Sequence, residues 1–594
     1  MEIVTIDDLS FSDKKLHKYF KERVQFFFFN FTRKANHQSL KLLHSQFKHT
    51  LTILKNTLDY NNYSNEWNIY LELFYCMIGQ TRDVVYGKGE RELSYMLLYT
   101  FYDFYPSLTF YLVQRMVVPL FETNNFKLCY GSWRDIPALC DFIYRFSNHS
   151  EHPLIDYCVV MMNQQLIQDY ENWIHSTHKS KDIITNAAKW IPRENKQLDW
   201  LFQRLVVDWA TIRHPHILHT ASNYDQFIRA NNKCKRLYRK HVSFLNKQLR
   251  SIDHLMASKQ MDYLVGDTIP IHHFCTHFSY YHTSQKQTYL LQKRCPLPND
   301  LILPYYANHF SLSFFIQKAR FYSQLSSKET KKYKKEISNL NTLWINNIQK
   351  IPMGHFDHII PFIDVSVTMQ NQSDFFYVAI ALSIIIAQRS VSSRGIIAMD
   401  SFPTWFHLEH KKDLISIVKD FFHTISSKQH TVSNKNIVSN FQNAVEMFQK
   451  DMVHPFIQDT TLVFFSDFQP FVDTDMNTDM NTDMNTDTDT DTDTDTDTAK
   501  PNLYTQLSSF FKPQNIPYFV FWNLSISNNI SIPSHRDNDK VVFFSGTSMN
   551  LLGHLPFFKT VSHSYAFKTI SKILFSIRYT SLSNYLYQFI QTNK

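Results

Sequence analysis

The chain of 594 residues is poor in glycine: it has nine, where a typical protein of any length carries about 7 %. It contains no GxGxxG and no GxxxxGK(S/T) run, so the dinucleotide and P-loop phosphate cradles are excluded as motifs. Collagen-like, glycine-linker and propeller readings fall with them. The seven cysteines (76, 129, 140, 158, 234, 275 and 295) are odd in number and include no CxxC pair. That argues for a reducing compartment rather than a disulfide framework. Long apolar runs are also missing. The longest, 375–387, is too short to span a bilayer, and the opening MEIVTIDDLSFSDKK has no apolar centre of the kind a signal peptide needs. HExxH, GxSxG and kinase signatures are absent. The expectation is an intracellular, cytoplasmic protein with no membrane contact that is not an enzyme.

What the chain has in abundance is aromatic: 51 phenylalanines and 32 tyrosines. An AT-rich coding sequence accounts for this bias, so the aromatics by themselves imply no ligand. Charge is more informative. The formal balance is +8, but ten aspartates sit in the MNTD and DT repeats at 473–498, and the rest of the chain carries +18. The repeat tract cannot build a core and is expected to be a disordered acidic insertion. A surplus of +18 favours an anionic partner, nucleic acid above all.

Up to about residue 335 the apolar spacing is helical. Leu93, Met96, Leu97, Phe101 and Phe104 fall on one face, and similar stretches at 108–118, 136–146, 156–174 and 199–212 end near prolines. Many amphipathic helices joined by short turns predict a solenoid-like α-helical repeat domain over 1–335. Beyond it, short runs rich in Ile, Val and Phe at 358–363, 395–399, 460–465, 517–522 and 540–544 alternate with helical stretches at 375–387, 413–425, 439–448, 502–511 and 560–591. Strands alternating with helices predict a doubly wound, mostly parallel α/β domain over 336–594.

In such a sheet, ligands gather beyond the carboxyl ends of the strands. The first strand runs into Asp364, Ser366 and Thr368. Ser439 opens a later helix, and the strand TLVFF ends in Ser466 and Asp467. Asp364, Ser366, Thr368, Ser439 and Asp467 together make an all-oxygen set of two carboxylates and three hydroxyls, suited to a hard cation, Mg²⁺ or Mn²⁺. The bland alternative is that Ser366 and Thr368 merely cap the next helix. The histidine clusters (214, 216, 219 and 272, 273, 277 with Cys275) lack the second ligand pair of a zinc site.

This set resembles the metal-ion-dependent adhesion site of a von Willebrand factor A (VWA) domain, whose pattern is DxSxS, a Thr and an Asp. Thr368 and Ser439 exchange hydroxyl for hydroxyl, and Val367 stands where glycine is common, which should tighten or distort the turn. The likeness extends along the chain. YGKGERELSYMLLY (86–99), YGSWRDI (130–136), AAKWIPRE (187–194), YRKHVSFLNKQL (238–249), MASKQMDYL (256–264), FIDVSVTM (362–369), FFSDFQ (464–469), FVFWNL (519–524) and FFSGTSMNLL (543–552) resemble an uncharacterised family, present in plants, fungi and large DNA viruses, that joins a TROVE-like helical-repeat module to a VWA domain. The Ro autoantigen, whose TROVE ring binds RNA, is related. The resemblance implies a non-enzymatic binding protein. Single-stranded or structured RNA would lie on the helical platform, and a protein partner would offer an acidic residue to the VWA metal. The alternative is a structural or packaged virion protein that uses the VWA site for protein contacts only.

An RNA surface needs cations for phosphates and rings for bases. The favoured segment is Lys233, Lys235, Arg236, Arg239 and Lys240 about Tyr238. Two others surround Tyr19 (Lys14, Lys15, Lys18, Lys21, Arg23) and Tyr333 (Lys328, Lys331, Lys332, Lys334, Lys335).

Overall fold

The computed structural model describes residues 13–32, 37–119, 129–177, 183–219, 223–249, 309–349, 356, 358–390, 395–400, 402–408, 413–426, 437–451, 459–468, 503–524, 540–560 and 566–593. The acidic tract 473–498, the motif at 256–264 and the histidine cluster at 272–277 lie outside them.

In chain order, the first helices are α1 (Asp13–Asn30), α2 (His37–Tyr60), α3 (Asn65–Arg82), α4 (Glu92–Tyr102), α5 (Pro106–Val117) and α6 (Asp135–Ser147). They are followed by α7 (Pro153–His175), α8 (Asp199–Arg213), α9 (Pro215–His219) and α10 (Tyr224–Leu249). After these come α11 (His309–Ser323), α12 (Ser327–Lys332) and α13 (Lys334–Gln349). Six strands interspersed with helices follow: β1 (Ile359–Asp364), α14 (Val367–Asn371), α15 (Ser373–Arg389), β2 (Gly395–Met399), β3 (Thr404–His407), α16 (Leu414–Ser426), α17 (Ile437–Asp451), β4 (Thr461–Ser466), α18 (Leu503–Ser508), β5 (Tyr518–Asn523) and β6 (Val541–Ser545). The chain closes with α19 (Ala566–Leu574) and α20 (Thr580–Asn593).

Two compact units result, one of Met1–Met77 with Leu303–Ser583, the other of Ile78–Ile302 with Asn584–Lys594. The first holds a mixed sheet in the order β3-β2-β1-β4-β5-β6. Every pairing is parallel except that of β3 with β2. Every residue of β1, β2, β4 and β6 is buried, which is why these strands read as unbroken apolar runs rather than as alternation. The middle of α15, apolar but for Ser383 and the Tyr377 hydroxyl, packs against β1, β2 and α11. The antiparallel edge strand β3 was not expected. Its approach fixes Gly395, because a Cβ there would lie 2.1 Å from Trp405 Nε1.

The expected boundary at 335/336 falls inside this first unit. α1 belongs with the sheet: Phe26–Phe29 are buried, Ser545 Oγ donates to the Phe28 carbonyl at 2.6 Å and Asn523 Nδ2 to the Phe29 carbonyl at 2.9 Å. The β5–β6 end of the sheet needs an apolar cover, and the phenylalanine run of α1 supplies it. The second unit is helical, with α4 to α8 packing largely on their chain neighbours. Leu93, Met96, Leu97 and Phe101 line the inner face of α4, as their spacing predicts. The chain end returns to this unit, where Tyr585 stacks on Tyr111 at 3.9 Å between ring centres. Among the described residues, no helix is long and apolar enough to cross a membrane.

Candidate functional site

The sheet order places β1 and β4 side by side at its centre, the switch point at whose carboxyl ends open α/β sheets bind their ligands. Asp364 ends β1 and Asp467 follows β4, and both are buried. One oxygen of Asp364 accepts the Ser366 backbone N–H at 2.9 Å and the other accepts Ser466 Oγ at 2.6 Å. Ser466 Oγ in turn accepts the Phe468 N–H at 3.1 Å, in a turn that holds Phe468 at φ +48°. Ser366 Oγ lies 3.0 Å from Thr368 Oγ1 and also caps α14 by accepting the Met369 N–H. Helix cap and oxygen ligand are therefore two uses of one hydroxyl. Val367 begins α14 and is 63 % exposed. Ser439 is half-buried in the first turn of α17.

Three further groups complete the picture, and sequence reasoning named none of them as part of the site. Ser466 occupies the second oxygen of Asp364. Asp400, just after β2, adds like-charge repulsion to burial, and together they hold the Asp364 carboxyl above its usual range despite the Ser466 and Ser366 hydrogen bonds. Gln372, at the junction of α14 and α15, donates its amide to Asp467 Oδ2 at 3.0 Å. Its own oxygen is buried without a hydrogen-bond partner. Among the described residues no Lys or Arg pairs with Asp364. A buried carboxylate without a counter-charge costs several kcal/mol, and a buried unpartnered amide oxygen points to an unfilled neighbour. Asp364, Ser366, Thr368 and Asp467 therefore fit a hard divalent cation, and Gln372 Oε1 is a further oxygen beside them. Among the described residues, no three His, Cys, Asp or Glu side chains converge, so hydroxyls and water would fill the remaining positions.

The helical unit corrects one residue of the expected RNA surface. Tyr238 is fully buried, its hydroxyl bonded to Asn163 Oδ1 at 3.1 Å and its ring set against Phe202 and Trp209. The helical period of α10 puts it opposite Lys233, Arg236 and Lys240, so it builds core and cannot stack a base. Lys235 and Arg239 pair with Glu194. Lys233, Arg236 and Lys240 remain exposed, in step with Arg229 and Lys247 along one stripe of α10. Tyr19 and Tyr333 are half-buried, with Arg23 and Lys332 over their respective rings.

No family profile matches the chain. A distant likeness links it to the uncharacterized protein L728 of Acanthamoeba polyphaga mimivirus, 22 % identical over 374 residues. The aligned part is 59 % of this chain and 57 % of that protein, so the chain spans little more than half the length of the relative it matches.

Proposed function

We propose that the protein is a non-enzymatic, metal-dependent binding protein of the VWA type. The observation that carries this reading is the pair of buried carboxylates, Asp364 and Asp467, at the carboxyl ends of the two central parallel strands, with Ser366 and Thr368 beside them. The sheet order, with one antiparallel edge strand, supports it. Asp364 and Asp467 would hold Mg²⁺ or Mn²⁺ with the hydroxyls as neutral arms. The cation would supply a Lewis-acidic position open to one acidic side chain of a protein partner. The chain's own groups fix the geometry: Ser466 and the Ser366 N–H orient Asp364, and Gln372 holds Asp467.

The test is thermal unfolding of the whole chain with and without Mn²⁺. The wild type should gain stability with metal concentration, as ligand linkage requires, and Asp364→Ala should lose that gain. An Mn²⁺-independent melting temperature in the wild type would end the reading.

The stripe of Arg229, Lys233, Arg236, Lys240 and Lys247 on α10 supports a second activity, RNA held through its phosphates on the helical platform. A likeness to a mimivirus protein favours a viral setting. If the chain is a packaged structural protein, mass spectrometry of purified particles would find it there, with metal-dependent protein partners and no RNA.

A further inference from the structure

The carboxyl edge of the sheet carries more than the two carboxylates, because at β5 and β6 it also holds the end of α1. The last four carbonyls of a helix have no partner within it, and two of those in α1 are met from the sheet. Asn523, the last residue of β5, donates Nδ2 to the Phe29 carbonyl at 2.9 Å. Ser545, the last residue of β6, donates Oγ to the Phe28 carbonyl at 2.6 Å. Both donors are fully buried. The C-terminal end of α1 is therefore fastened to the same edge of the sheet as Asp364 and Asp467. From there the Phe29 ring lies 5.4 Å from that of Phe468, the residue after Asp467.

Phe468 has a backbone that its side chain does not favour. Its φ is +48°, a conformation that glycine adopts freely and a bulky residue does not. Such a residue persists only where its surroundings over-determine it. Here the ring is fully buried, set against Phe29 of α1, Phe441 of α17 at 5.9 Å and Phe521 of β5 at 6.0 Å. The turn also aims the Phe468 N–H at Ser466 Oγ, 3.1 Å away, and that same hydroxyl donates to Asp364 Oδ2 at 2.6 Å. One residue thus reaches both carboxylates, Asp467 through the chain and Asp364 through Ser466. Phe441 follows Ser439 by two residues in α17, so the same ring contact bears on a further hydroxyl of the set. A glycine at 468 would make the turn without strain, but nothing would then tie the turn to α1 and α17.

We propose that Phe468 is a positioning residue for the cation, wedged in place by Phe29, so that metal binding and the docking of α1 are coupled. This inference rests on the metal-dependent reading of the site. Coupling of this kind is reciprocal. A cation that draws on Asp364 and Asp467 favours the turn that Phe29 supports, and withdrawal of Phe29 from Phe468 weakens the hold on the cation. On this account α1 is a lever on the site as well as a cover for the sheet.

The test measures Mn²⁺ affinity of the full chain by paramagnetic resonance titration, for the wild type, Phe468→Gly, Phe29→Leu and Phe20→Leu. Phe20 is an equally buried ring of α1, set against Trp67 and Tyr70, so its variant reports the loss of α1 packing alone. Phe468→Gly and Phe29→Leu should each weaken Mn²⁺ binding about fivefold or more, at the lower end of ordinary coupling. Phe20→Leu should lower the melting temperature and leave the affinity unchanged. Hydrogen exchange of the wild type reads the coupling from the other side: Mn²⁺ should slow exchange of the amides of residues 24–32, and Asp364→Ala should abolish that effect. A wild type that binds no Mn²⁺ would end the metal-dependent reading and this inference with it. Wild-type binding that persists undiminished in Phe468→Gly and Phe29→Leu would overturn the inference alone, as would an equal loss in Phe20→Leu. Should the variants fail to fold, the wild type decides: exchange at 24–32 that Mn²⁺ leaves unchanged would overturn the coupling.

Discussion

Asp467 gives one oxygen to the Gln372 amide, while the Gln372 oxygen has no partner. Replacing that amide by a carboxylate keeps the shape and changes only charge and donors. Gln372→Glu should therefore raise Mn²⁺ affinity about tenfold or more in a paramagnetic resonance titration. In the presence of a chelator it should lower the melting temperature, since a third acidic group then joins buried carboxylates with no cation. Reduced Mn²⁺ affinity would mean that Gln372 serves only to brace Asp467. Asp364, Ser366 and Asp467 were legible in the sequence because the apolar runs before them locate the strand ends, and the sheet rule says what strand ends are for. Ser466, Asp400 and Gln372 were not. Their roles depend on which side chains meet across neighbouring strands and the α14–α15 junction, and residue spacing does not encode that.

Among elements, the same rule explains both success and failure. Strands β1, β2, β4, β5 and β6 lie within a residue of their expected positions, because burial on both faces leaves a continuous apolar signature. β3 is a four-residue edge, half-exposed, and too short to show a period. On α10 the cations were visible, but their spacing had to be set against the helical period before Tyr238 could be assigned to the core. His241 occupies that same inner face. It bonds to the Leu166 carbonyl at 3.2 Å, and burial, with smaller contributions from Arg213 and His214, holds it below the usual histidine value. Because the unfolded chain takes up the proton first, the stability of the neutral ring is present above about pH 6.5 and is lost as the pH falls below it. His241→Gln keeps a donor for the carbonyl and removes the titration. It should flatten the fall in melting temperature between pH 7 and pH 5, although the lowered His152 and His214 will retain part of the slope. An unchanged slope would show that His241 is not a source of the acid sensitivity.

For the whole molecule, the sequence shows a change of grammar near residue 335 but not which segments fold together. A division there assumes that each compact unit is one stretch of chain. The contacts contradict that assumption at both ends. The sheet unit recruits α1, whose carbonyls accept from Asn523 and Ser545 and whose Phe29 ring meets Phe468 and Phe543 at 5.4 Å. The helical unit recruits the chain end through Tyr585 on Tyr111 and Phe589 against Tyr105. These are long-range pairings between residues hundreds of positions apart, formed by buried aromatic faces that local patterns register only as apolar. A fragment of residues 336–594 should therefore expose the β5–β6 end of its sheet and the aromatic face of α20. It should be insoluble, or lack a cooperative thermal transition by circular dichroism. Co-expression with residues 1–77 should improve its solubility by restoring the α1 cover. Residues 78–302 expressed alone should melt lower than the same segment supplied with a peptide of residues 584–594. A soluble, cooperatively folding 336–594 fragment would show instead that the sheet needs no cover from α1, and that the change of grammar near residue 335 is the true boundary.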